Sequence, residues 1–298
     1  MQKAIGISSE LVEYLETYAE QLITDRKKTK APEEYPRKTD MKNFTQTQEI
    51  ALESSVVSID LDDPIVLLSF TNGTQQFIDL DSKEAVGSFR AEGAGKIIEN
   101  SSEVVVVGEE TIVYNNEQGE VKYVVTCHEE VNCVSVHPCG RYLAVGSSDC
   151  SWTLHDIEKG QLLAQVKTSS PVTAIEFHCD GLVLCVGLSS GKIILFDVRT
   201  QEAAKELSGV VQSPVKKIAF SNKGIHLAVS WEDCATCRVY MLHKNCEHCD
   251  IDHHGAGVKT FGFDHFGQFL VTAAGEKLKA FYYRDFTSPV AVLDQSAS

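Results

Sequence analysis

The sequence predicts an all-β fold built from repeats, and three observations carry that expectation. From residue 54 onward, strand-like runs of five or six residues alternate with turn residues, and no helical period is present. Val131, Val172, Val215 and Val258 each open such a run, and each is followed nine residues later by a glycine: Gly140, Gly181, Gly224 and Gly267. Nine residues beyond those glycines stand Asp149, Ser190, Asp233 and Glu276, a polar position in the next turn. The steps between the glycines are 41, 43 and 43 residues, and a fixed period of that length marks a repeat array.

Each repeat then runs into a further strand, ending in His155-Asp156, Phe196-Asp197, Tyr240-Met241 and Phe281-Tyr282. Two weaker copies come first, one near Val56, with Asn72-Gly73 as its hairpin signal, and one near Lys96. Four strands in each of six repeats is the pattern of a WD40-type β-propeller, and six copies fill residues 54–293. Six blades are favoured and seven stay open. The glycines belong in the turn between the first two strands of a blade, where a left-handed residue without a Cβ is unstrained. The polar position resembles the WD-repeat aspartate that accepts a hydrogen bond from a histidine in the preceding loop. His128 lies 21 residues before Asp149, and His253 or His254 can serve Glu276, whereas blades four and five, the latter with Asp233, have no such histidine. These residues read as architecture rather than chemistry.

Ahead of the repeats the spacing predicts one helix. Ser8 or Ser9 can cap it, Glu10 lies in its first turn, and Leu11, Leu15, Tyr18 and Leu22 form one apolar stripe. Arg26, Lys27, Lys28 and Lys30 suit its C-terminal end, and Pro32 and Pro36 end the pattern. The expected division is therefore residues 1–42, an amphipathic helix and charged linker, and residues 43–298, the propeller. The stripe reads equally as a partner-binding face, a self-association seam, or a helix lying on its own domain.

Composition narrows the function classes. Of 298 residues, 43% are hydrophobic and 23% charged, which is globular. Apolar runs such as Ile65–Phe70 fall far short of the roughly 18–20 residues that span a bilayer, so no membrane partner is expected. The net charge is −15. Residues 1–42 hold eight basic and eight acidic side chains, so the remainder carries all of it. An acidic body repels phosphate backbones, which disfavours direct nucleic-acid binding. Ten cysteines without a secretory signal imply free thiols in a reducing, intracellular compartment.

The metal-like pattern is Cys234-x2-Cys237-x8-Cys246-x2-Cys249. Paired Cys-x2-Cys ordinarily suggests tetrahedral zinc. The repeat register argues against it: the two pairs fall at opposite ends of one strand, about 15 Å apart at 3.3 Å per residue. No cofactor is expected. No Gly-x-Ser-x-Gly elbow or phosphate-cradling glycine loop is present, and His137-Pro-Cys139 reads as a turn, so no catalysis is expected.

At this point a family becomes recognisable. Gly140-Arg-Tyr-Leu-Ala-Val-Gly-Ser-Ser-Asp149 with Trp152 and Asp156-Ile-Glu-Lys-Gly160 resembles the third propeller blade of pre-mRNA-processing factor nineteen. Phe177-His-Cys-Asp-Gly-Leu182 and Ile218-Ala-Phe-Ser-Asn-Lys-Gly224 are similar to its fourth and fifth blades, and Val258-Lys-x3-Phe263-Asp-x2-Gly267 to its sixth. Leu22-Ile-Thr-Asp-Arg-Lys-Lys28 with Pro32-Glu-Glu34 resembles its linker, so the likeness runs from about residue 6 to 293. That family is a nuclear spliceosomal scaffold and U-box ubiquitin ligase with a seven-bladed propeller. The resemblance implies a protein-binding scaffold in messenger-RNA splicing, with spliceosomal or ubiquitin-pathway proteins as partners. No U-box precedes residue 6 and no seventh blade follows residue 293. The chain is therefore expected to lack ligase activity by itself, and its ring to close with six blades or to borrow strands from residues 43–52. Separately, Ile194-Leu-Phe-Asp197-Val-Arg199 looks like the adaptor-docking box of WD-repeat substrate receptors in cullin-type ligases, which offers Asp197 and Arg199 as an alternative docking pair.

Overall fold

The structure, a computed structural model, describes residues 7–28, 54–62, 64–82, 84–98, 103–108, 111–115, 120–125, 130–244, 246–253 and 256–294. Pro32, Pro36, residues 43–52, His128 and His254 lie outside them. Among the described residues there are six four-stranded antiparallel sheets, each a meander of consecutive strands, and one α-helix, which is the WD40-type propeller fold. The first sheet holds β1 (Val56–Asp62), β2 (Ile65–Phe70), β3 (Thr74–Asp79) and β4 (Ala85–Arg90), and the second β5 (Ala94–Ile97), β6 (Glu103–Val107), β7 (Thr111–Asn115) and β8 (Glu120–Val125). The third holds β9 (Val131–Val136), β10 (Tyr142–Ser147), β11 (Ser151–Asp156) and β12 (Gln161–Lys167). The fourth holds β13 (Val172–Phe177), β14 (Val183–Leu188), β15 (Ile193–Asp197) and β16 (Glu202–Leu207). The fifth holds β17 (Val215–Phe220), β18 (His226–Trp231), β19 (Thr236–Met241) and β20 (Glu247–Asp252), and the sixth β21 (Val258–Phe263), β22 (Phe269–Ala274), β23 (Lys277–Tyr282) and β24 (Asp285–Asp294).

Contacts divide the described residues into two compact units. Among the described residues, unit 1 lies within residues 54–172, and unit 2 takes residues 7–28 with those of 173–294. The helix therefore belongs with the C-terminal sheets.

In unit 1, β10 and β11 are buried along their whole length. A strand covered on both faces has no reason to alternate polar and apolar residues, and β10 reads Tyr-Leu-Ala-Val-Gly-Ser. Leu143 and Val145 of β10 pack with Ile98, Val105, Val131 and Ile157 in one core. A second core joins Leu67 and Phe77 to Ile97, Val104 and Val106. Asp60 of β1 accepts the Ile97 N–H at 2.7 Å. The alternate positions of that edge strand, Val57, Ile59 and Leu61, are exposed at 55%, 67% and 57%.

In unit 2, the fifth sheet separates two cores with the period of two that a strand imposes. Leu227, Val229, Trp231 and Tyr240 face one core with Ile193, Leu195 and Val215. Ala228, Val239 and Ile251 face the other with Phe261, Leu270 and Phe281. Polar ties reinforce the stacking of the fourth sheet on the fifth. Trp231 Nε1 donates to the Gly191 carbonyl at 3.0 Å. Arg238 grips Asp250 through Nε and Nη2 at 2.6 and 2.7 Å and donates Nη1 to the Ser208 carbonyl at 3.0 Å, while the Tyr240 hydroxyl also donates to Ser208.

The helix α1 (Ser9–Lys28) is capped by Ser8, whose Oγ accepts the Leu11 N–H at 3.3 Å. Leu11, Leu15 and Ala19 are buried, whereas Tyr18 and Leu22 are half-buried. The stripe is therefore rotated slightly from the predicted one, with Ala19 among its buried positions. Of the three readings of this stripe, the helix lying on its own domain is the one realised. Glu16, on the flank, accepts from Arg199 Nη1 at 3.1 Å.

Candidate functional site

The repeat glycines sit where a left-handed backbone is needed. Gly140, Gly181, Gly224 and Gly267 have φ of 74°, 77°, 67° and 59°. Each donates its N–H to the carbonyl three residues earlier, at 2.8 Å to His137, 2.8 Å to His178, 2.7 Å to Ser221 and 2.9 Å to Asp264. These turns join the first and second strands of the third to sixth sheets.

The turn of the fourth sheet adds an ionic device. His178 Nδ1 lies 2.8 Å from Asp180 Oδ1, and its Nε2 lies 3.0 Å from the Gly224 carbonyl in the neighbouring turn. An acceptor oxygen beside each ring nitrogen favours the imidazolium form. Burial pulls its pKa down, but the hydrogen bonds and charges of Asp180 and Cys179 prevail and push it up to about 10. Asp180 Oδ1 also accepts the Leu182 N–H at 2.8 Å, and despite burial the His178 charge holds that carboxyl below its ordinary range. The Phe220 ring stands edge-on to His178 at 5.0 Å.

The polar position of the repeat does different work in different blades. Asp149 accepts from Ser151 and, at 3.1 Å, from Lys167 Nζ, which with its hydroxyl bond outweighs burial and lowers its pKa. Its proposed brace, His128, lies outside the described residues. Asp233 has a φ of 52° and serves as a left-handed turn residue. His253 is buried ahead of the sixth sheet.

The four cysteines of the metal-like pattern are divided by the fifth sheet. Cys234 and Cys246 pack into the core shared with the fourth sheet, and Cys237 and Cys249 into the core shared with the sixth. Register brings Cys237, opposite Ile251, and Cys249, opposite Val239, closer along the strands than opposite ends of a blade. The separation comes from the two faces of the sheet, which spacing along one strand does not reveal. Burial, with the nearby Asp250 charge, pushes the Cys249 thiol up, and burial pushes the fully covered Cys237 thiol well above the usual range, whereas a zinc ligand must ionise readily. We expect purified protein to hold well below one equivalent of zinc by elemental analysis. A stoichiometric metal lost on Cys237→Ser or Cys249→Ser would show that both faces rearrange to share an ion.

Arg199 is already engaged. It donates Nε to Asp197 Oδ1 at 3.0 Å and Nη2 to Asp197 Oδ2 at 2.6 Å, while Nη1 reaches Glu16. The Asp197 carboxyl is held below its ordinary range by that hydrogen bond. An adaptor reading this arginine must first detach it from two carboxylates. His137 Nδ1 faces Cys139 Sγ at 3.0 Å inside its turn and takes the Cys139 N–H at 3.1 Å, so the pair holds the turn together.

Two further histidines are buried neutral. Burial depresses His155 to about 4, with its ring between the Tyr123 hydroxyl at 3.1 Å and Thr153 Oγ1 at 2.9 Å. Burial first, then the charges of His243, Lys223 and Lys244, depresses His226 to about 4. Sequence reasoning missed His178, His226 and Arg238. The one signal available was Asp180 two residues after His178 in a glycine turn.

Six four-stranded antiparallel sheets with a glycine turn repeated at a fixed period define a WD-repeat β-propeller, a class that presents loops and blade edges on a rigid frame. Residues 76–287 match the family model described as nucleolar protein 10-like, N-terminal domain, and the chain belongs to that β-propeller family. It is also 27% identical over 247 residues to pre-mRNA-processing factor 19 homolog 2 of Arabidopsis thaliana, covering 76% of this chain and 47% of that protein. Against pre-mRNA-processing factor 19 of Bos taurus the identity is 25% over 236 residues, 72% of this chain and 47% of the relative. Over 104 residues, 34% of this chain and 20% of the relative, it is 36% identical to the Oryza sativa protein of the same name. The chain thus spans about half the length of the first two. The resemblance to pre-mRNA-processing factor nineteen holds over most of the chain.

Proposed function

We propose that this chain is a non-enzymatic scaffold that docks protein partners of the pre-mRNA splicing machinery in the nucleus. The observation that carries this reading is the likeness to pre-mRNA-processing factors over about three quarters of the chain, all of it consistent with a propeller. Supporting it, the polar clusters of the turns are satisfied internally: Arg199 by Asp197 and Glu16, Arg238 by Asp250 and Ser208, His178 by Asp180 and Gly224. No described helix is long and apolar enough to cross a membrane. The net charge of −15 favours basic protein surfaces over nucleic acid.

The test is a pull-down from nuclear extract at low and moderate salt, beside a ubiquitylation assay with activating enzyme and a panel of conjugating enzymes. The expected result is recovery of splicing proteins that weakens with salt, because exposed ion pairs are screened beyond about 10 Å at 0.1 M, and no ubiquitin chains. Robust ligase activity, a cullin adaptor as the main partner, or an interactome without splicing proteins would overturn the proposal.

A further inference from the structure

One end of unit 2 collects cations and aromatic rings on a chain that is otherwise acidic. In a four-stranded meander the first and third turns lie at the same end of the sheet. In the fifth sheet the first turn carries Lys223 and the third carries His243 and Lys244; in the sixth the third turn carries Tyr283 and Arg284. The side chains converge. Lys223 Nζ lies 5.4 Å from the centre of the Tyr283 ring and the Arg284 guanidinium carbon 5.3 Å from it, with Arg284 Nε donating to the Tyr283 hydroxyl at 2.7 Å. Tyr282 stands edge-on to Tyr283 at 4.8 Å.

His226 lies beneath this cluster, 2% exposed, with its ring 6.1 Å from His243, 6.3 Å from Tyr283 and 5.2 Å from Phe286. Its Nδ1 has no hydrogen-bond partner. A buried polar atom left unpaired is costly and points to a site completed by something else. Two carboxylates on the same turns hold their own backbone. Asp264 accepts the backbone N–H groups of Gln268 and Phe269 at 2.6 Å, and Asp285 accepts from Thr287 at 3.0 and 2.6 Å. Glu247, at the start of β20, is exposed.

The geometry points to a docking site for a short acidic peptide segment of a protein partner, its carboxylates on Lys223, Lys244 and Arg284 and an apolar side chain against Tyr283. This rests on the reading of the chain as a protein-docking scaffold. The charge distribution selects a short peptide over a long polyanion. Residues 43–298 carry the whole net charge of −15, so a nucleic acid leaving the cluster meets like charge, whereas a short segment stays within the Debye length of about 8–10 Å. Tyrosine and arginine are also the residue types that dominate binding hot spots.

The test is fluorescence polarisation of the full chain with a short labelled peptide alternating glutamate and phenylalanine, a glutamine-for-glutamate control and labelled oligouridine. Lys223→Glu/Arg284→Glu is expected to weaken the acidic peptide by about tenfold or more, and Lys244→Glu to weaken it independently. Both changes fall on exposed side chains, and melting curves confirm that the variants fold. Undiminished binding by the variants, equal binding of the glutamine peptide, or tighter binding of oligouridine would overturn the inference. If wild-type protein still recovers splicing proteins while the acidic peptide does not bind, this inference fails and the scaffold reading stands.

Discussion

Replacing Gly224 with valine is expected to lower the melting temperature more than the same change at any other repeat glycine. Two costs combine there. At φ 67° a β-branched residue is strained by about 1–3 kcal/mol. In addition, a Cβ on Gly224 would stand 2.3 Å from His178 Nε2, 2.6 Å from its Cε1 and 2.9 Å from Cys179 Sγ. The imidazole has to move, and the bond from Nε2 to the Gly224 carbonyl goes with it. Losing a buried hydrogen bond from a charged group costs about 1.5–3 kcal/mol further, which places the total at about 3 kcal/mol or more. Gly140→Val carries the strain at φ 74° and serves as the comparison, with a loss of about 1–3 kcal/mol. Equal melting temperatures for the two variants would show that the contact between His178 and the Gly224 turn contributes nothing.

Stability is expected to peak near neutral pH and to fall on both sides for different histidines. His155 and His226 have folded pKa values of about 4, below the unfolded value of about 6.5. Their contribution is complete above pH ~6.5 and is lost as the pH falls toward 4, on the order of 1–3 kcal/mol for each buried ring. His178 has the opposite sign. Its folded pKa of about 10 lies above the unfolded value, so its contribution is complete below pH ~6.5 and is lost as the pH rises toward 10. Thermal melts across pH 4.5–10 check both arms. His178→Gln should flatten the alkaline arm, and His226→Phe should shallow the acid arm. An alkaline decline unchanged in His178→Gln would rule out the imidazolium.

The parts of this fold that were legible in the sequence are those set by short-range chemistry. A glycine recurring every 41 to 43 residues announces a left-handed turn because a residue without a Cβ adopts that φ at the least cost. Asn72-Gly73 announced its hairpin for the same reason, with φ 78° at Gly73 and Asn72 Oδ1 accepting the Thr74 N–H at 2.9 Å. Runs such as β10 and β14, between such turns, became strands because burial on both faces asks only for unbroken apolar sequence. Where sequence reasoning fell short, the missing information lay across sheets. The helix stripe was visible, but not what covers it. The cysteine spacing was visible, but not that a sheet divides the four sulfurs.

By itself, then, the sequence determined the repeat, the strand order within each sheet and the turn glycines, since each depends on residues a few positions apart. Only the tertiary structure decided the partners of the charged groups. Asp180 lies two residues from His178 in sequence, yet the second oxygen against the His178 ring, the Gly224 carbonyl, comes from the next sheet. Asp197 was a natural partner for Arg199, but Glu16 on the helix was not foreseeable. Lys223, His243, Lys244 and Arg284 are scattered through three turns and meet around Tyr283 and His226 only when the fifth and sixth sheets stack. Backbone conformation is chosen locally, residue by residue. Ionisation and recognition depend on what stands within a few ångströms, and in a stack of sheets those neighbours come from other blades.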